Sequence, residues 1–144
     1  MPMTYELLSQ TPISETFSIS NKVWTDSSPN VWAGTLDATG YTYASIKIAS
    51  ATASVLNDYR KSVTFSANFR FDNGSTMHDG SKGTVRIDAR DTANCAIPAL
   101  TWEGPLTDTE ITIYVCASGF TGTSSDDEQG TITVNCVISG YLRR

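Results

Sequence analysis

Apolar and polar residues alternate with a period of two along most of the chain, the pattern of strands with one buried face. The clearest run is Ser62 to Phe71, SVTFSANFRF. Val63, Phe65, Ala67, Phe69 and Phe71 share one face, and Ser62, Thr64, Ser66, Asn68 and Arg70 the other. Ten residues of strand span about 33 Å. Three of the five phenylalanines lie on this run, which predicts a central strand. Thr84 to Arg90 repeats the pattern, with Val85, Ile87 and Ala89 inward. The segment between, Asp72 to Gly83, reads as a polar turn region. Thr109 to Ser118 and Thr131 to Gly140 are rich in β-branched residues and predict a second strong pair. They are joined by GFTGTSSDDEQG, Gly119 to Gly130. This stretch is too long for a tight turn and reads as an exposed hairpin loop with an acidic tip.

Shorter strands are predicted over Thr16 to Ser20, Val31 to Leu36, Thr42 to Ala49 and Ile97 to Trp102. Pro98 confines the last to an edge or a short piece. Turn clusters separate them at Asn21 to Asn30 and Asp37 to Gly40. Ala49 to Tyr59, ASATASVLNDY, reads as a short helix or a crossover loop: its alanines favour helix, its Ser, Thr and Val oppose it. Eight or nine strands at roughly ten-residue spacing predict an all-β, antiparallel β-sandwich of about 8 strands, jelly-roll-like. An immunoglobulin-like Greek-key sandwich is the alternative. Residues 1–13, with Pro2 and Pro12 and little core pattern, read as an N-terminal arm or extended segment that orders on a partner. Residues 14–144 form the single sandwich domain.

Composition agrees with strands. The 144 residues include 17 Ser and 20 Thr, and only 17% are charged. This excludes a coiled coil, a helical bundle and a collagen-like repeat. The net charge is −5, with basic residues scattered apart from Arg60–Lys61 and Arg143–Arg144. Nucleic acid and anionic membrane are therefore not the expected partners. The start, MPMTYELLSQ, has no signal-peptide pattern, and no apolar run reaches membrane-spanning length. Synthesis in the cytoplasm without a signal peptide is the expectation. The three cysteines, Cys95, Cys116 and Cys136, show no CxxC spacing. On a Thr109–Ser118/Thr131–Gly140 hairpin, alternation places Cys116 and Cys136 on opposite faces, so no disulfide is expected.

Catalytic patterns are sparse. The one histidine, His78, stands beside Asp79 in what reads as an exposed loop, with no nucleophile nominated for a triad. Glu103, Asp108 and Glu110 surround Trp102 and Pro105, but their spacing does not single out a glycosidase pair. Asp72, Asn73 and Asp79, and separately Asp126, Asp127 and Glu128, offer oxygens to calcium without an EF-hand pattern. GxSxG and phosphate-loop patterns are absent. The expectation is a protein without enzymatic activity, cofactor or resident metal.

Aromatics are the remaining candidate feature. Trp24, Trp32, Tyr41, Tyr43 and Trp102 are ligand or interface candidates, with Tyr59 and Tyr141 beside them. Trp and Tyr are enriched at protein interfaces, and exposed rings also stack on sugars. The whole chain is similar in character to the small all-β structural proteins of virus and phage particles: Ser/Thr-rich strands, long loops, low charge and no catalytic constellation. That resemblance implies a non-enzymatic structural or assembly protein, such as a capsid decoration, capsid or fibre-type subunit. Its partners would be copies of itself and a larger assembly, and its place a virus particle. The alternative is a carbohydrate-binding module or lectin using the exposed Trp and Tyr.

Overall fold

The computed structural model describes residues 10–23, 30–74, 76–119 and 130–144. Trp24, most of the arm at residues 1–9 and the acidic loop at 120–129 lie outside them. The described residues form eleven strands and no helix. These are β1 (Gln10–Val23), β2 (Asn30–Asp37), β3 (Tyr43–Ile48), β4 (Ala51–Asn57), β5 (Val63–Asn73) and β6 (Thr76–Asp79). They continue with β7 (Gly83–Ile87), β8 (Thr92–Ile97), β9 (Leu100–Pro105), β10 (Glu110–Ser118) and β11 (Gly130–Arg143).

Two antiparallel sheets result, and three long strands are broken in the middle. In the first sheet β11 pairs with β1 along its whole length. On its other side it pairs with β4 near Gly130 and with β3 near Arg143. The Ala49 N–H donates to the Val137 carbonyl between them, so β3 and β4 are two halves of one strand. Beyond them, β9 pairs with β3 and β8 with β4. Pro98, which cannot donate to a ladder, marks the break between those two. In the second sheet the order is β2-β10-β5, with β6 and β7 both on the far edge of β5. The Gly80 N–H bonded to the Phe69 carbonyl bridges that break. Counting each broken strand once leaves eight. Their arrangement, β1, β11, β3/β4, β8/β9 against β2, β10, β5, β6/β7, is a jelly roll.

The core fills the space between the sheets. Val63, Phe65, Ala67, Phe69 and Phe71 of β5 are all buried, meeting Ile111, Ile113 and Val115 of β10 and Ile132, Val134, Cys136 and Ile138 of β11. The sheet edges close on each other. Phe17 of β1 lies over Gly34 of β2, where a Cβ would come within 2.5 Å of its ring. Asn57, fully buried, secures the end near Gly130. Its Nδ2 donates to the carbonyls of Lys61, Ile87 and Asp88, and its Oδ1 accepts from the Tyr59 N–H.

Five expectations are corrected. Ala89, expected inward on a Thr84–Arg90 strand, is exposed beyond β7, which ends at Ile87. Ala49 to Tyr59 is neither helix nor loop: it holds β4, whose Ala53, Val55 and Asn57 point inward in strict alternation. The Asp72–Gly83 region is not simply a turn, because β6 pairs there with the end of β5. Cys116 and Cys136 are not on a hairpin, since β10 and β11 belong to different sheets. His78 is not an exposed loop residue but a half-buried member of β6. All three cysteines are buried and unbridged.

Candidate functional site

At one end of the first sheet, β3, β9 and β11 run side by side, and their outward residues form a Tyr–Arg patch. Ala44 and Leu142 point into the core, so alternation turns Tyr43, Tyr141 and Arg143 outward. Register places Tyr43 opposite Arg143, and Ser45 opposite both Tyr141 and Glu103. The Tyr43 and Tyr141 rings lie at 6.5 Å with an interplanar angle of 23°. The Arg143 guanidinium carbon sits 4.0 Å from the Tyr43 ring centroid, an attraction between a cation and the ring quadrupole. The Tyr43 hydroxyl donates to Glu103 Oε2 at 3.0 Å. That bond to a carboxylate, with desolvation behind it, raises the Tyr43 pKa and keeps the phenol protonated.

Around the corner, Tyr41 precedes β3 and faces the seam between β1 and β2. Its hydroxyl is 2.6 Å from Thr11 Oγ1, and the Arg144 guanidinium carbon is 4.8 Å from its ring centroid. Tyr41 and Tyr43 are thus two residues apart yet sit in different settings, each covered by one of the two consecutive arginines. The shallow outer surface next to Tyr43 is lined by Ser45, Lys47, Thr101 and Glu103.

Trp102 points the other way. It packs against the core between the sheets. Its ring lies 5.2 Å from Phe71 and 5.0 Å from His78, and His78 lies 4.6 Å from Phe71. Three rings therefore close the gap between β9 and β6, the neighbouring edges of the two sheets. Trp32 stands in β2 in register with Tyr114. The patch thus contains one of the five aromatics singled out in the sequence, Tyr43, together with Tyr141 and Arg143. A signal for the added pair existed: Tyr141 and Arg143 are two apart on a strand and must share a face.

A second polar depression lies on the outer face of the second sheet. It is lined by Asn68, Arg70, Asp79, Lys82 and Cys116. Arg70 is ion-paired through Nε with Asp79. The Asp79 hydrogen bond raises the Arg70 pKa, and burial raises that of Cys116, holding it as a thiol. Two of the three calcium candidates in this region, Asn73 and Asp79, are engaged by the fold. Asn73 Oδ1 accepts from the Thr107 N–H, its Nδ2 donates to the Pro105 carbonyl, and Asp79 is held by Arg70. Among the described residues no three His, Cys, Asp or Glu side chains come together as metal ligands.

No family profile and no curated protein matches the chain in sequence. Among solved structures it is similar to the tumour necrosis factor Eiger of S. frugiperda, at 8% identity and a TM-score of 0.41, over 91% of this chain and 92% of that one. It is also similar to a structure of infectious bursal disease virus, Gx strain, at 10% identity and a TM-score of 0.42. That match covers 93% of this chain and 36% of the virus chain, so this chain spans about a third of its length.

Proposed function

We propose that this chain is a non-enzymatic structural or assembly protein acting through protein–protein contacts, of the kind that builds or decorates a virion. It would be made in the cytoplasm and do its work in a particle, joined to copies of itself and to a larger assembly. The observation that carries this reading is the outer face of the first sheet. Its outward positions are mostly Ser and Thr, among them Ser14, Thr16, Ser18, Ser45, Thr52, Ser54, Thr101, Thr133 and Ser139. In a chain of net charge −5, the central strands of this face carry no carboxylate, and β9 adds Glu103. The Tyr–Arg patch stands at one end of it. Tyr and Arg are, with Trp, enriched where interfaces concentrate binding energy, and a face made largely of small hydroxyl side chains with few charges is easily desolvated. The same patch disfavours the carbohydrate alternative, because a sugar platform needs open ring faces and Arg143 already covers one face of Tyr43.

Light scattering behind a sizing column tests the reading. The expected mass is a whole multiple, two or greater, of 15.6 kDa. A 15.6 kDa species at every concentration would remove self-association from the proposal.

A further inference from the structure

We infer that the occupant of the Tyr–Arg patch is a second copy of this chain, which presents to it an acidic row on the outer face of the opposite sheet. This rests on the assembly reading above and names its contact. The row is built by register. Glu110 of β10 lies directly opposite Asp37 of β2, and Thr112, next outward on β10, lies opposite Asp72 of β5. Ile111, Leu36 and Phe71 are buried, so Glu110, Asp37 and Asp72 all face outward.

Like charges directly opposed on a ladder repel, and nothing in the row neutralises them. The ion pairs among the described residues are Arg70–Asp79 and Arg90–Asp58, and neither touches the row. Asp37 is held ionised by the Thr39 hydroxyl and N–H, which lower its pKa. Asp72 Oδ1 is shielded from solvent and has no hydrogen-bond donor. The exposed and directly opposed Glu110 and Asp37 therefore give the row negative charge that no described ion pair offsets. Beside it Met77, opposite Asp72 and 55% exposed, offers a polarisable side chain of the type that packs on aromatic rings.

The Tyr–Arg patch is its complement. It carries the Arg143 guanidinium over the Tyr43 ring, with Lys47 along the same face and Arg144 round the corner. A planar guanidinium held in place by stacking has donors already oriented toward carboxylates, so less freedom is lost on pairing. The two surfaces lie at the same end of the molecule but on opposite sheets. The segments 38–42 and 106–109 connect the sheets there, joining β2 to β3 and β9 to β10. A contact between unlike surfaces is heterologous, so each copy uses both, and assembly continues into a ring or an open array.

Charge exchange tests it. Arg143→Glu in one protein, and Asp37→Lys with Glu110→Lys in another, should each raise the self-dissociation constant about 100-fold or more. Each mutant keeps the one surface its partner mutant lacks, so an equimolar mixture should form a one-to-one heterodimer, twice 15.6 kDa, that neither mutant forms alone. Circular dichroism and thermal unfolding of each variant confirm that it is folded. Both mutants dissociated and the mixture dimeric supports the pairing. A wild-type protein that self-associates, with Arg143→Glu unchanged in mass, overturns the pairing and leaves the assembly reading standing. Dissociated mutants that fail to dimerise together show that the two surfaces do not meet, and overturn it as well. A wild-type monomer at all concentrations overturns the pairing and removes self-association from the assembly reading.

Discussion

At the scale of single residues, the three thiols show how the environment decides chemistry. Cys136 faces the core between the sheets, and burial pushes its pKa up to about 12. Burial also raises Cys95 and Cys116. The neutral thiol is the form the fold accepts. Stability from Cys136 is therefore fully present below the ordinary thiol pKa, and is lost as pH rises from there toward 12. At pH 8 an alkylating reagent should leave the Cys136 of the native protein unmodified and label it in denaturant. The urea midpoint of the wild type should fall more steeply above pH 9 than that of Cys136→Ala, whose lost sulfur costs a pH-independent amount. Rapid native labelling of Cys136, or parallel pH profiles, would contradict this. The inward position of Cys136 was readable from Ile132, Val134 and Ile138 around it. The surroundings of Cys116 were not: its floor position beside Asn68 and Arg70 depends on β10 lying next to β5, which alternation does not encode.

At the scale of strands, the sequence reported faces well and neighbours poorly. Every inward position assigned to β5 is buried, because Phe and Val alternating with Ser and Thr leave one solution. β4 was hidden because alanine, a strong helix former, occupies its first inward positions, and tertiary pairing with β8 and β11 overrode that preference. β6 was hidden by Gly74 and Gly80 on either side of four residues. Alternation fixes which side of a sheet a residue faces but not which sheet holds it, so β10 and β11 read as a hairpin and lie in separate layers. The same limit kept Tyr43 from being joined to Tyr141 and Arg143 before the β3–β11 register was known. Within β11, Gly140 is demanded by its place: φ is +128°, and an added Cβ would collide with the Ser45 carbonyl oxygen. Gly140→Ala should cost at least about 2 kcal/mol. A drop in the urea midpoint with an unchanged m-value would report it, and an unaltered midpoint would refute it.

At the scale of the whole molecule, the first and last described strands are partners. β1 pairs with β11 from Gln10–Arg143 to Val23–Gly130, and β11 also joins β3 and β4. Little of the sheet forms from local contacts, so the entropy of closing long loops precedes most of the gain. Refolding from urea should be a single cooperative phase in milliseconds to seconds, with tryptophan fluorescence and far-ultraviolet circular dichroism coinciding. A microsecond phase carrying most of the amplitude would show that a local unit folds by itself. The Gln10–Arg143 pairing also has an engineering consequence. In a variant trimmed to residues 10–143, a short linker between those two residues would close the backbone into a circle without disturbing a described strand, and new termini could then be opened elsewhere. A payload appended after Arg144 would sit against Tyr41 and Tyr43 and mask them. Cargo for display belongs at the far end, on the turns at residues 58–61 and 88–91, where it leaves the Tyr–Arg surface clear.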